Sequence, residues 1–235
     1  MTNKITPKTI RENLQILRFE NTFNPYADLC PRYDQKRSAE CRAQLLEDML
    51  DAASDVEVDA IWLGRDLGYR GGRRTGLALT DDINFERHIA RWELQAVRPT
   101  KGTPVKERTA EVIWDMLSGI QAHIFLWNVF PLHPFEPEMH FSNRSHNKRE
   151  RQEGERVLSL IAAFLKPQRI VAVGNDAARS ARDLFPHLEV HHVRHPSYGG
   201  QRQFCQKICD LYSVDRTHKT QELHLWAPRK TRLLG

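Results

Sequence analysis

Cysteine is scarce, and what there is does not match a metal or redox site. The 235 residues contain four, Cys30, Cys41, Cys205 and Cys209, spaced C-x10-C and C-x3-C at opposite ends of the chain. Neither spacing is the C-x2-C knuckle of zinc sites or a ferredoxin-type run. Buried thiols are the expectation. One exception stays open, because Cys205 and Cys209 would share a helix face if "RQFCQKICDLY" is helical, and such a pair could ligate iron or zinc. Otherwise no cofactor and no metal are expected. Long apolar runs are missing too. Nothing approaches the ~18 apolar residues of a membrane span, and the opening "MTNKITPKTIRENLQILRFE" lacks an apolar h-region. A cytoplasmic protein without a membrane role is expected.

Absent motifs narrow the chemistry further. "GRDLGYRGG" is neither G-x-G-x-x-G nor G-x-x-x-x-G-K-[ST], so dinucleotide and P-loop sites have little support. There is no G-x-S-x-G elbow and no H-E-x-x-H pair. "VAVGNDAAR" reads first as a strand-ending turn, with a phosphate-binding turn as its alternative. His191 and His192 in "VHHVRH" alternate along a strand and cannot both face one metal, so a structural role is expected for them. No internal repeat and no low-complexity segment is found.

What is present is ordinary in amount and ordered in pattern. Hydrophobic residues at 40% and charged residues at 28% suit a globular chain, and a net charge of +5 points mildly to an anionic partner. The helix expected around Ser38 to Ala53 carries an apolar stripe of Leu45, Leu46, Met49 and Leu50. Strand-like "VDAIWLG", "HIFLWNVFPLHP", "RIVAVGN" and "LEVHHVRHPSYGG" then alternate with helix-like "FERHIARWELQ", "KERTAEVIWDMLSGI", "NKRERQEGERVLSLIAAFLK", "DAARSARDLF" and "QRQFCQKICDLYSV". Such alternation predicts an α/β/α sandwich around a central four-stranded, mainly parallel sheet. A single domain spanning 1–235 is expected, with an irregular extension over 1–37 and a basic tail over 215–235.

In a sheet of this kind, function sits in the loops at the carboxyl ends of the strands. Three of these loops are rich in reactive side chains: "GRDLGYRGGRRTGLALTD" after the first strand, "LWNVFPLHP" after the second and "RHPSYGG" after the fourth. In this order they resemble the motifs of the uracil-DNA glycosylase superfamily, over roughly Ile61 to Phe204. The resemblance implies that Asp66, after Gly64 and Arg65, orients the attacking water. It implies that Asn128 reads the Watson–Crick edge of a flipped pyrimidine, and that His195 sits beside the base oxygen that becomes negative. Ser197 and the turn after it match the segment that grips phosphate and fills the vacated stack, with Tyr198 the candidate wedge.

Elementary chemistry agrees with these roles. Breaking an N-glycosidic bond puts positive charge on the sugar and negative charge on the base, which a carboxylate and a neutral imidazole donor respectively stabilise. An asparagine presents a donor and an acceptor side by side, suiting a pyrimidine edge. A flipped base also needs a phosphate grip, for which Arg70, Arg73, Arg74, Arg194 and Arg202 are candidates. Each residue has a bland alternative: a turn cap for Asp66, satisfaction of backbone groups for Asn128, a loop imidazole for His195 and solvated charge for the arginines.

Two departures from the resemblance concern the base. The best-known uracil enzymes carry a tyrosine two positions after the aspartate, blocking substituents at C5, and here that position is Gly68. The stacking aromatic of many branches falls at Leu79, and Arg65 stands where relatives have glutamine or glutamate. These residues imply a monofunctional DNA glycosylase whose substrate is uracil or a larger C5-modified pyrimidine, hydroxymethylated or glucosylated, as in the DNA of some bacterial viruses. The partner is then double- or single-stranded DNA, a defence role follows, and a monomer is expected. Two other classes stay open: a non-catalytic reader of damaged or modified DNA, and a hydrolase of free nucleosides.

Overall fold

Three short, largely buried apolar runs and one partly exposed edge strand, EVHHV, line up as one parallel sheet. The computed structural model describes residues 4–197 and 199–214. In chain order its elements are α1 (Pro7–Gln15), β1 (Thr22–Phe23), α2 (Ser38–Ser54), β2 (Ala60–Asp66), α3 (Gly72–Thr75), α4 (Phe85–Ala90), α5 (Arg108–Leu117), β3 (Ile124–Phe130), β4 (His133–Pro134), α6 (Lys148–Leu165), β5 (Arg169–Val173), α7 (Asn175–Leu184), β6 (Glu189–Val193) and α8 (Gln201–Tyr212). The sheet order is β3-β2-β5-β6, with every neighbouring pair parallel. Continuous apolar sequence is what such strands require, because helices cover both of their faces. Among the described residues, no helix is long and apolar enough to cross a membrane.

Alternation along β2 divides the interior into two layers. Ile61 and Leu63 join Phe125, Trp127, Ile170 and Ala172 in a cluster that also holds apolar residues of α2, α6 and α7. Ala60 and Trp62 face the other way, into a cluster with Leu126, Val171 and residues of α5 and α8. Gly64 and Asp66 continue the second face toward the carboxyl end of β2. On the first face α6 approaches β3 closely. A Cβ on Gly154 would overlap the Val129 carbonyl oxygen and lie 3.0 Å from Phe130 Cα. The start of α6 is set by Asn147, whose side chain accepts from the Glu150 backbone N–H while the Glu150 carboxylate accepts from the Asn147 N–H, a reciprocal cap. Close approach and fixed start together deliver the preceding residue, His146, to the sheet edge.

The structure departs from the expectations at three places. Residues 7–15, placed in an irregular extension, form α1: Thr6 caps it with Thr9, proline stands in its first turn, and Ile10 and Leu14 are fully buried in the first cluster. Among the described residues, the rest of that segment is irregular apart from β1, which pairs with β4, and it is pinned by Arg42, whose guanidinium makes two 2.8 Å bonds to Asp34 and one of 2.6 Å to the Pro25 carbonyl. The helix expected through "FERHIARWELQ" stops at Ala90, and Glu93 takes a left-handed φ of 56° that no helix continues. Cys41 is exposed, Cys205 half-buried, and only Cys30 and Cys209 are buried. The basic tail, 215–235, lies outside the described residues.

Candidate active site

Asn128, expected at a strand end in the loop after the second strand, lies instead inside β3, level with Gly64 of β2, because the apolar run continues through Val129 and Phe130. Its side chain leans across its neighbour, so a Cβ at position 64 would overlap Asn128 Oδ1 and come within 3.0 Å of Leu79 Cδ2. Only glycine fits there. Leu79 itself is held in a left-handed conformation, φ 55°, which costs a branched side chain of this kind about 1–3 kcal/mol. The turn that imposes it is braced by Thr80, whose hydroxyl lies 2.8 Å from His88 Nδ1 and accepts from Trp114 Nε1 at 3.2 Å. Burial holds His88 neutral by pushing its pKa down to about 3. Asn128 is buried, 1% exposed, yet neither its amide oxygen nor its amide nitrogen has a hydrogen-bond partner among the described residues. An unsatisfied buried polar group costs about 1–3 kcal/mol, and two in one side chain call for a ligand.

Asp66 closes β2 with its side chain only 6% exposed. One carboxylate oxygen accepts from Nδ1 of His146 and the other from Nε of Arg65 at 2.5 Å. Arg65 reaches on to Asp176 at the start of α7, 3.4 Å away. His195, in the loop after β6, packs beside Gly174, where a Cβ would lie 3.6 Å from its own. The Ser197 backbone N–H donates to His195 Nδ1 at 3.2 Å, and the Ser197 hydroxyl lies 2.7 Å from the same nitrogen. A backbone N–H can only donate, so Nδ1 accepts and the ring hydrogen sits on Nε2. Burial, with the Arg65 charge adding to it, holds the His195 pKa below the ordinary histidine value. The imidazole is therefore a neutral Nε2–H donor. Ser197, expected on phosphate, has its hydroxyl on His195.

Gly68 does not leave a void. A Cβ built there would meet Glu107 Oε1 at 3.2 Å, and one on Gly71 would overlap Glu107 Oε2. Glu107 precedes α5, and its backbone N–H donates to Asp81 Oδ2 at 2.6 Å. Asp82 next door accepts from the Val105 N–H at 3.0 Å and from the Thr100 hydroxyl at 3.0 Å. The two aspartates that end "TGLALTDD" thus tie the strap before α5 to the loop after β2. Sequence reasoning missed both Glu107 and His146.

Two expected phosphate ligands are not at the surface. Arg73 is buried at 4% exposure: its Nε donates to the Tyr33 hydroxyl, Nη1 bonds His133 Nδ1, both at 2.9 Å, and its guanidinium stacks 3.9 Å over Phe23. Burial first, and then Arg73, push His133 down to about 3, keeping it neutral. Arg74 is buried against Asp82, 2.6 Å away, with Arg98 3.2 Å from the same carboxylate oxygen. The turn of α3 points both arginines inward, so they hold the loop rather than DNA. Arg70, Arg194 and Arg202 are exposed, Arg70 against the Tyr69 ring and Arg194 bonded to Gln203 at 3.1 Å. Tyr198, the expected wedge, lies outside the described residues. Arg74→Met is expected to cost ~3 kcal/mol in urea unfolding, because among the described residues Asp82 then keeps only Arg98 as a charged partner. The salt dependence of DNA affinity should be unchanged in Arg74→Met and shallower by ~0.9 in Arg70→Met. A shallower slope for Arg74→Met would return it to the DNA surface.

An α/β sheet with a buried amide and a carboxylate on the neighbouring strands β3 and β2, and a neutral imidazole in the loop after β6 on the same carboxyl edge, is the frame of a hydrolytic enzyme. The family model of the uracil DNA glycosylase superfamily matches residues 57–209, well over half of the chain, and the chain belongs to that superfamily of DNA glycosylases. The fold is similar to the crystal structure of wild-type Pedobacter heparinus SMUG2, with a TM-score of 0.58 at 14% identity, covering 88% of this chain and 96% of that one. No curated protein matches the sequence.

Proposed function

We propose that the protein is a monofunctional DNA glycosylase that flips a pyrimidine out of DNA, hydrolyses its N-glycosidic bond and leaves an abasic site. The observation that carries this reading is Asn128, a buried amide with both polar atoms unpaired. A pyrimidine edge supplies the acceptor and donor it lacks. As the bond from C1′ to the base breaks, its electron pair moves onto the base. The Nε2–H of His195 stabilises the resulting charge on the base oxygen. Asp66 stabilises the cationic sugar and orients the water that attacks C1′, and the proton that this water loses ends on the departing base anion, so that a neutral base and an abasic sugar are left. Exposed Arg70, Arg194 and Arg202 meet the phosphates.

The substrate is uracil or, favoured by the replacement of a ring at position 68 by the carboxyl end of the Glu107 side chain and by the aliphatic Leu79, a larger C5-modified pyrimidine, hydroxymethylated or glucosylated. A role in defence against viruses with such DNA follows. Oligonucleotides carrying uracil, thymine, hydroxymethylated and glucosylated pyrimidines, incubated with the protein and cleaved by alkali, test this. Strand scission is expected at uracil or at the modified bases, and scission at uracil alone would show that the larger-base reading is wrong. Binding without scission on any strand would leave a reader of modified DNA in place of an enzyme.

A further inference from the structure

We propose that the Glu107 carboxyl recognises the C5 substituent of the flipped base by accepting a hydrogen bond from a hydroxyl on it. The inference rests on the glycosylase reading and specifies its substrate class. Residue 68 points at Glu107: a side chain there would have its Cβ 3.2 Å from Oε1. Glu107 therefore stands where the missing side chain of residue 68 would extend, two residues beyond Asp66. It also lies on the correct face. α5, which it precedes, shares the cluster of Trp62 and Leu126, the face on which Gly64, Asn128 and Leu79 continue toward the site.

The Glu107 backbone is anchored by Asp81, its side chain does not cap α5, and no hydrogen bond to either carboxyl oxygen occurs among the described residues. Gly71 matters as much as Gly68, since any side chain at either position would collide with the carboxyl or displace it. Burial, then the neighbouring Asp81, raise the Glu107 pKa to about 7, against the lowering influence of Arg70. Such a poorly solvated carboxyl is stabilised by a hydroxyl donor. A bare methyl group in the same place would bury it unpaired.

Size and hydrogen bonding make different demands, which matched bases separate. A 5-methyl and a 5-hydroxymethyl pyrimidine have nearly the same bulk, so a merely roomy pocket treats them alike. We expect the wild-type protein to release the hydroxymethyl base at least ~30-fold faster than its methyl counterpart, as a site built around a hydroxyl rejects the analogue lacking it. In Glu107→Leu the ratio should fall to within about threefold, and Glu107→Gln, of the same shape, should keep part of it. If Glu107→Leu is too unstable to assay, the Glu107→Gln ratio decides alone: an unchanged preference refutes the assignment. A preference equal in all three proteins overturns the role of Glu107 while leaving the glycosylase reading intact. Absence of abasic sites on every oligonucleotide overturns both.

Discussion

Asp66→Asn should slow base release by about 10³-fold while DNA affinity stays within about threefold of wild type. The effect is large here because of what surrounds the carboxylate. His146 and Arg65 each place a donor on one oxygen of Asp66. An asparagine offers one oxygen and one NH₂ to those two donors, so one side of the amide faces a donor with a donor. It must rotate or lose a partner, and water orientation is lost together with the negative charge that steadies the sugar cation. Single-turnover release from an oligonucleotide that the wild-type protein cleaves, paired with affinity measured on a strand it cannot cleave, separates the two effects. Equal losses of affinity and rate would mean that Asp66 holds the loop rather than the reaction. An unaltered rate would remove it from the chemistry. His146→Phe extends the test: removing one of the two donors should lower the rate by a smaller factor and leave affinity alone.

The fold was legible because parallel strands must be apolar on both faces. β2, β3 and β5 announce themselves as runs that stop at loops, and the reactive loops follow from where those runs stop. Asp66 at the end of β2 and His195 after β6 could be placed on that basis, and Asn128 on β3 by motif. Long-range burial was not legible. Arg73 and Arg74 read as loop cations because nothing in "RGGRRTG" shows that Phe23, Tyr33 and His133, all distant in sequence, close around Arg73. The same limit hid Glu107, which reads as one more charge at the start of an amphipathic helix until Gly68 is seen to point at it. It hid His146, an unremarked member of a polar loop. α1 is a different case: a threonine cap followed by proline does stand in "TPKTIREN", but its reciprocal capping uses Thr9 where glutamate is usual. The unpaired state of Asn128 has no counterpart in sequence at all.

His195→Phe should lower the release rate by ~10²–10³-fold, the effect of removing one preorganised donor from a developing oxyanion. Phenylalanine keeps the ring beside Gly174 and removes both nitrogens, so loss of packing does not confuse the result. The protonation state gives a second, independent check. With Nδ1 accepting from the Ser197 N–H, the wild-type imidazole donates through Nε2 while neutral, and burial keeps it neutral below the ordinary histidine pKa. Protonation would place a hydrogen on Nδ1 opposite that N–H and break the contact that orients the ring. Base release is therefore expected to hold as pH falls through ~6.5, the value of a free imidazole, and to decline only below it. Arg65→Met removes the cation that adds to the lowering, so the acid limb should move to higher pH, though by less than full exposure of the ring would move it, because burial is the larger cause. Ser197→Ala separates the two donors on Nδ1: it deletes the hydroxyl but retains the backbone N–H, so the tautomer and most of the rate should survive. Nitrogen chemical shifts of the His195 ring report the tautomer directly, and a protonated Nδ1 in the neutral form would end this account of the site.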